Sequence, residues 1–152
     1  MDMVFKRLGD HRVVDLVDYV RDAINVDEKI RIYVGTDSHN RGNQTIYGTV
    51  VVIHYGNRGG HVIYSKESLP RIRDTFSRLW KEVDYSVEVA EILKQSGVAT
   101  VDYIDLDYNP DPKYRSNSVL RSAVGYVESM GYVARTKPNA ASASYCADAI
   151  CH

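Results

Sequence analysis

Long apolar runs are missing from this chain of 152 residues, and the longest extends only from Val50 to Ile53. A membrane-spanning helix needs about 20 consecutive apolar residues. The first residues, Met1 to Lys6, also lack the apolar core of a secretion signal. These two absences predict a cytoplasmic protein that does not enter a membrane.

Cysteine is scarce as well, and an excess of charge of either sign is absent. The two cysteines, Cys146 and Cys151, both lie in the last seven residues, which is no disulfide framework and fits a reducing compartment. Nineteen Lys and Arg balance 20 Asp and Glu, for a net charge of −1. A protein that binds nucleic acid through its phosphates alone usually carries a basic excess. Any role on nucleic acid must therefore depend on local clusters or on bound metal.

The composition that remains is that of an ordinary globular chain. Hydrophobic residues make up 44% of the sequence and charged residues 26%, so a core can form. No internal repeat and no long linker divides the chain. The sequence therefore predicts one domain covering residues 1–152.

The spacing of apolar residues predicts four helices and five strands. In chain order they are a helix over His11–Ile24, strands over Ile30–Val34, Thr45–Tyr55 and His61–Ser65, a helix from Ile72 to near Gly97, a strand over Val101–Tyr108, a helix over Ser118–Met130, a strand over Tyr132–Thr136 and a helix over Ala140–Cys151. The first three strands are joined by short turns, which favours an antiparallel meander. Because βα units follow, the pattern predicts an α/β fold with a mixed five-stranded sheet flanked by helices.

Acidic residues follow two of these strands. Asp37 ends the first strand, and Asp105 and Asp107 end the fourth. If the two strands are neighbours, the carboxylates would repel one another unless a cation neutralised them. Mg²⁺ and Mn²⁺ prefer such oxygen ligands, and a pair of these ions supports phosphodiester hydrolysis. Alternation along the strand does not choose between Asp105 and Asp107, because both lie on one face.

The long helix adds further acids, and the pattern does not select one of them. Glu82, Asp84 and Glu91 flank the apolar stripe of this helix, whereas Glu88 points away from it. An aspartate at a strand end also commonly forms turns or caps helices. A purely structural role for any single acid is therefore the alternative to a metal-binding role.

Several segments of the chain resemble the YkuK family of predicted RNase H-like nucleases. The resemblance covers nearly the whole sequence and depends on Ile32 to Ser38, on Glu82 with Ser86 to Ala90, on Leu106-Asp107, and on Lys137-Pro138 leading to Ala147-Asp148. It implies an RNase H-like fold with one extra helix at the N-terminal side. The order of the predicted elements agrees with that fold.

The resemblance also implies a set of metal ligands. RNase H-like enzymes hold two divalent ions with acids on the first strand, the first helix after the meander, the fourth strand and the last helix. By motif these are Asp37, Glu82, Asp107 and Asp148, with Asp37 bridging two Mg²⁺ or Mn²⁺ ions. The sequence departs from the family at Ala149, where relatives tend to carry a lysine.

Basic residues border the predicted site on two sides. Lys113, Arg115 and Arg121 follow the fourth strand, and Arg135 and Lys137 precede the last helix. We expect Lys113, Arg115 and Lys137 to bind substrate phosphates. A solvated surface without a ligand is the alternative interpretation of these residues.

The leading hypothesis is therefore a metal-dependent nuclease that acts on RNA, DNA or a hybrid of the two. A non-catalytic RNase H-like module that binds nucleic acid or a protein partner is the second hypothesis. A phosphate-binding relative of the actin-like ATPases is the third, since their first strand also ends in an Asp near Gly and Thr. A chain of 152 residues is too short for the second lobe of such an ATPase.

Overall fold

A computed structural model describes residues 3–26, 29–55, 59–106 and 117–136 of the chain. These residues form seven strands and three helices. In chain order they are β1 (Phe5–Arg7), β2 (Val13–Val14), α1 (Leu16–Val26), β3 (Ile30–Arg41), β4 (Gln44–Tyr55), β5 (Gly60–Pro70), α2 (Thr75–Gln95), β6 (Tyr103–Leu106), α3 (Asn117–Ser129) and β7 (Ala134–Thr136).

The strands form one mixed sheet in the order β2-β1-β5-β4-β3-β6-β7. Strands β3, β4 and β5 pair antiparallel, as the predicted meander requires. Strands β6 and β7 then extend the sheet in parallel, each after a helix. The α/β class and the mixed sheet are therefore as predicted from the sequence.

The sheet has seven strands rather than the predicted five, because the N-terminal segment contributes two more. Phe5 pairs with Val14 to join β1 to β2, and Lys6 pairs with Tyr64 to join β1 to β5. Val13 and Val14, which the apolar spacing assigned to a helix, form β2 instead, and α1 begins only at Leu16. Both valines are β-branched and suit a strand.

Strand β3 is longer than its apolar pattern predicted. Every residue from Ile30 to Arg41 pairs with β4, although the alternation of apolar residues ends at Val34. The described pairing of β3 with β6 ends at Gly35, opposite Asp105. Asp37 therefore lies inside β3 with respect to β4, but two residues beyond the last described pair with β6.

Helix α2 packs against the sheet and contributes several residues to the core. The side chains of Val83, Val87 and Ala90 are buried in the same cluster as Val34 of β3. Asp74 caps the helix by accepting a hydrogen bond of 3.0 Å from the Ser77 N–H. The prediction of this helix is confirmed, with its first residue at Thr75 rather than near Ile72.

The predicted terminal helix over Ala140–Cys151 lies outside the described residues. Within the described ranges, no helix is both long and apolar enough to cross a membrane.

Candidate functional site

Asp37 lies on one of the central strands of the sheet. Its strand β3 has an antiparallel neighbour on one side and a parallel neighbour on the other. Asp37 pairs with Gly48 of β4, and Gly35 precedes it by two residues on the same face. Neither glycine contributes a side chain to the face of the sheet that carries Asp37.

The Asp37 carboxylate is half-buried and oriented by the backbone. Its Oδ1 accepts a hydrogen bond of 2.9 Å from the N–H of Ser38. A charge-assisted bond of this kind fixes the direction of the carboxylate. The Asp37 carboxylate is therefore held in a defined orientation and does not move freely in solvent.

Glu82, the predicted acid of the long helix, is buried against β3. Its side chain retains only 3% exposure, and the Ser38 hydroxyl donates a hydrogen bond of 2.5 Å to its Oε2. Arg78, one turn earlier in α2, donates through Nη1 to the same hydroxyl oxygen at 2.8 Å. Ser38 therefore links the Arg78 guanidinium to the Glu82 carboxylate.

Tyr47 of β4 lies next to Arg78 and Glu82, and their charges change its pKa. The Tyr47 hydroxyl donates to the carbonyl oxygen of Arg78 at 2.9 Å. Burial raises the pKa of Tyr47, the negative charge of Glu82 raises it further, and Arg78 partly offsets both effects. The interior between α2 and the sheet therefore contains a polar network built on Arg78, Ser38 and Glu82.

A second polar contact continues this network along the same face of β3. The Thr36 hydroxyl lies 2.8 Å from the Ser86 hydroxyl of α2 and 3.1 Å from the Thr49 hydroxyl of β4. Successive residues of a strand point to opposite faces. Thr36 and Ser38 face α2, and Asp37 therefore lies on the other face of the sheet.

The structure thus places the first two predicted ligands on opposite faces of β3. Glu82 reaches Ser38 from the helix side, and Asp37 receives the N–H of the same residue from the other side. Within the described ranges, no group of three or more His, Cys, Asp or Glu is arranged to hold a metal ion. The remaining predicted site residues, Asp107, Asp148, Lys113, Arg115 and Lys137, lie outside the described residues.

Asp105, the alternative acid on β6, is engaged in an ion pair. Arg135 of β7 binds it with two hydrogen bonds, Nε to Oδ1 at 2.7 Å and Nη2 to Oδ2 at 2.9 Å. The Asp105 side chain has no exposed surface, and that of Arg135 retains 21%. The two oxygens of Asp105 are therefore already bound by a cation of the protein itself.

The guanidinium of this pair lies over two neighbouring aromatic rings, whose centres are 5.8 Å apart. The Arg135 Cζ lies 4.5 Å from the centre of the Tyr33 ring and 4.4 Å from that of Tyr103. Burial alone would lower the pKa of Arg135, but the hydrogen bonds and charge of Asp105 raise it above its ordinary value. Arg135, which the sequence grouped with possible phosphate-binding residues, instead joins β7 to β6.

Sequence reasoning missed both of these networks. The apolar pattern placed Glu82 on the flank of a stripe and the family resemblance made it a metal ligand, but neither gave a role to Ser38 or Arg78. The signal that could have indicated the Asp105 pair is the aromatic residue two positions before Asp105, since Tyr103 and Asp105 share a face. Arg135 contacts Tyr103 and Asp105 because β6 pairs with β7. The local sequence pattern does not predict this pairing.

The fold and the site define an α/β domain with a three-stranded antiparallel meander, two parallel strands added beside it, and an aspartate on one of the central strands. The chain matches the family model described as Ribonuclease H-like over residues 13–152. This chain therefore belongs to the ribonuclease H-like family. No curated protein and no solved structure matches it.

Proposed function

We propose that this domain is a divalent-metal-dependent nuclease of the YkuK type that hydrolyses phosphodiester bonds of nucleic acid. The observation that carries the proposal is the position of Asp37. It lies on a central strand of a ribonuclease H-like sheet, two residues beyond the last described pair with the parallel strand β6. Ligands of α/β sheets bind beyond the carboxyl ends of such strands.

The donor chemistry of the acids suits Mg²⁺ or Mn²⁺, because both ions prefer carboxylate oxygens. We propose Asp37, Glu82, Asp107 and Asp148 as the ligands of two ions. When bound, the ions would supply activation of the attacking water and stabilisation of the departing oxygen. The ion pair of Asp105 with Arg135 supports the choice of Asp107, the acid next to Leu106 in the sequence.

The described residues around the proposed ligands serve to position them. The Ser38 N–H orients Asp37, and the Ser38 hydroxyl, itself bound by Arg78, orients Glu82. Glu82 contacts Ser38 on the helix side of β3, whereas Asp37 lies on the other side. Glu82 can therefore share an ion with Asp37 only if its carboxylate leaves Ser38 and turns toward Asp37. Lys113, Arg115 and Lys137 are proposed to bind phosphates of the substrate.

A non-catalytic domain that binds nucleic acid is the second candidate function. The burial of Glu82 and its short hydrogen bond to Ser38 favour this function, because a buried, hydrogen-bonded carboxylate can serve the fold without binding a metal. The third hypothesis from the sequence, an actin-like ATPase, receives no support from the ribonuclease H-like match. The second candidate predicts binding of nucleic acid without turnover.

Cleavage of end-labelled RNA, DNA and RNA–DNA hybrid distinguishes the two candidates. We expect the full chain to cut at least one of these substrates with Mg²⁺ or Mn²⁺ and to cut none in the presence of EDTA. The Asp37→Asn variant should lose cleavage while its circular dichroism spectrum stays unchanged. Binding without cleavage by the folded wild-type protein on every substrate would instead identify the non-catalytic domain.

A further inference from the structure

Two arginines lie at the end of the sheet where β3 turns into β4, and a third, Arg73, follows two residues later in the chain. Arg41 pairs with Gln44 at the last position of β3, and Gln44 pairs with Pro70, the residue before Arg71. The Arg71 N–H donates to the Asn43 carbonyl at 2.9 Å, and its Nη1 donates to the Gly42 carbonyl at 2.7 Å. We call Arg41, Arg71 and the nearby Arg73 the arginine edge.

The arginine edge carries positive charge that the described residues do not neutralise. All three side chains are exposed. Across the described part of the chain, none of the three forms an ion pair, and the neighbouring acid Asp74 is occupied as the cap of α2. The chain as a whole has a net charge of −1, so the positive charge of the arginine edge is a local feature.

A stack of aromatic rings begins directly after the arginine edge. Phe76 and Trp80, four residues apart in α2, have parallel rings at 5° with centres 6.0 Å apart. Trp80 also contacts Tyr126 of α3, with ring centres 5.6 Å apart. Phe76 is 47% exposed, so one face of its ring is open to solvent. We call Phe76 and Trp80 the aromatic platform.

Hydrogen bonds hold the platform beside the edge. The Ile72 N–H donates to the Thr45 hydroxyl at 2.8 Å, which fixes the segment before α2 to β4. Arg78 binds Ser38 of β3 from the first turns of α2. Arg41 follows Asp37 by four residues of the same strand, a distance of about 13 Å. The edge and the platform therefore lie at the end of the sheet where β3 turns into β4, with Arg41 on the face that carries Asp37 and the platform on α2.

We propose that the arginine edge and the aromatic platform bind a single-stranded stretch of polynucleotide next to the proposed cleavage site. The arginines bind phosphates, and the exposed face of Phe76 stacks on a base. A duplex keeps its bases stacked on one another, so only unpaired bases present a free face to Phe76. This proposal rests on the proposed function for its choice of nucleic acid as ligand, but it concerns binding and requires no metal.

Fluorescence anisotropy with the full chain in EDTA tests the proposal without cleavage. The probes are a labelled single-stranded oligonucleotide, an abasic oligonucleotide of equal length, a blunt duplex and polyglutamate. We expect the single strand to bind at least about fivefold more tightly than the abasic strand, because one base stacks on Phe76. Phe76→Leu should remove this preference, and Phe76→Tyr, which restores a ring, should recover it.

Arginine variants test the edge separately. Replacing Arg41, Arg71 and Arg73 together by alanine should weaken binding of the single strand by about tenfold or more at moderate salt, and should lower the salt slope by about 0.7 for each phosphate that is no longer bound. Arg31→Ala is the matched control, since Arg31 is an exposed arginine at the opposite end of β3. Its affinity should equal that of the wild type. Circular dichroism confirms the fold of each variant.

The outcomes separate this proposal from the proposed nuclease function. Equal affinity for the single strand and the abasic strand, or unchanged affinity in the arginine variant, overturns the single-strand surface. Equal binding of polyglutamate overturns it in favour of an acidic protein partner. If the wild type cleaves but shows one of these results, the nuclease function is supported and the single-strand surface is not. If the wild type prefers the strand with bases but does not cleave, the surface is supported and the nuclease function is not.

Discussion

The Ser38 hydroxyl lies 2.5 Å from a carboxylate oxygen of Glu82 and joins β3 to α2 inside the domain. The same residue presents its backbone N–H to Asp37 on the other side of the strand. Ser38 therefore contacts both of the described acids that are proposed as metal ligands. Its hydroxyl serves the buried acid, and its backbone serves the half-buried one.

Removing the Ser38 hydroxyl should destabilise the fold. Ser38→Ala leaves the buried Glu82 carboxylate without this donor, which costs about 1–3 kcal/mol in the free energy of unfolding. Urea denaturation measures the change, with Ser68→Ala on the exposed part of β5 as the matched control. Equal free energies of unfolding for Ser38→Ala and the wild type would contradict the structural role of this bond.

Removing Arg135 should be more costly than removing an exposed arginine. The Asp105 side chain has no exposed surface, so Arg135→Ala leaves a buried carboxylate without its cation. Breaking a buried pair in this way lowers the free energy of unfolding by about 3–5 kcal/mol. Arg135→Lys should recover part of the stability, since lysine keeps the charge but not the two parallel bonds. Thermal unfolding compares both variants with Arg31→Ala. A melting temperature of Arg135→Ala equal to that control would rule out a structural pair.

Alkaline pH should unfold the domain through its buried tyrosines. Burial first, then the charges of Glu67 and Glu88, raise the pKa of Tyr85 to about 12 from an ordinary 10.0. The folded state therefore favours the neutral phenol, and this contribution is complete below pH 10 and is lost as the pH rises toward about 12. Tyr85→Phe cannot ionise, so its alkaline midpoint by circular dichroism should lie at higher pH. A midpoint at or below that of wild type would contradict this.

Neutralising Glu82 should reduce cleavage if this acid is a ligand of the proposed ions. Glu82→Gln keeps the shape of the side chain and its contact with Ser38 but removes the charge that a metal requires. Glu88→Gln, an exposed acid of the same helix, is the matched control. We expect cleavage to fall for Glu82→Gln alone. Cleavage at the wild-type rate in Glu82→Gln would assign this acid to the fold and not to the metal site.

The sequence predicted those parts of the fold that depend on local pattern. The long apolar stripe of α2 identified the helix, and Gly97, which adopts a positive φ of 74°, marked its end. The β-branched and aromatic residues of β4 identified its strand almost to the residue. These features are encoded in neighbouring residues, so local pattern and composition are sufficient to find them.

The parts that were missed depend on contacts between distant residues. Strand β2 has only two residues, and its pairing of Val14 with Phe5 cannot be seen in a periodic pattern. The polar end of β3, from Thr36 onward, lay outside the predicted strand because polar residues interrupt the alternation, yet β4 pairs with all of it. Tertiary pairing overrides local propensity at both places.

The candidate site was predictable in the same uneven way. Asp37 was chosen as a candidate from its place after an apolar run, because that placement is local, and its role stays a prediction. The partners of Glu82 and Asp105 were not, since Ser38 lies 44 residues from Glu82 and Arg135 lies 30 residues from Asp105. The choice between Asp105 and Asp107 could not be made from alternation, and the ion pair of Asp105 now supports Asp107 as a proposal.

We expect the Asp37 carboxylate to be required for phosphodiester hydrolysis. The most direct measurement is single-turnover cleavage by wild type, Asp37→Asn and the matched control Asp22→Asn, on the best-cut substrate with Mg²⁺ or Mn²⁺. Asp22 is an exposed acid of α1. We predict cleavage at the wild-type rate for Asp22→Asn and at background for Asp37→Asn, with equal thermal stability of all three proteins. Cleavage by folded Asp37→Asn at the wild-type rate would contradict the account.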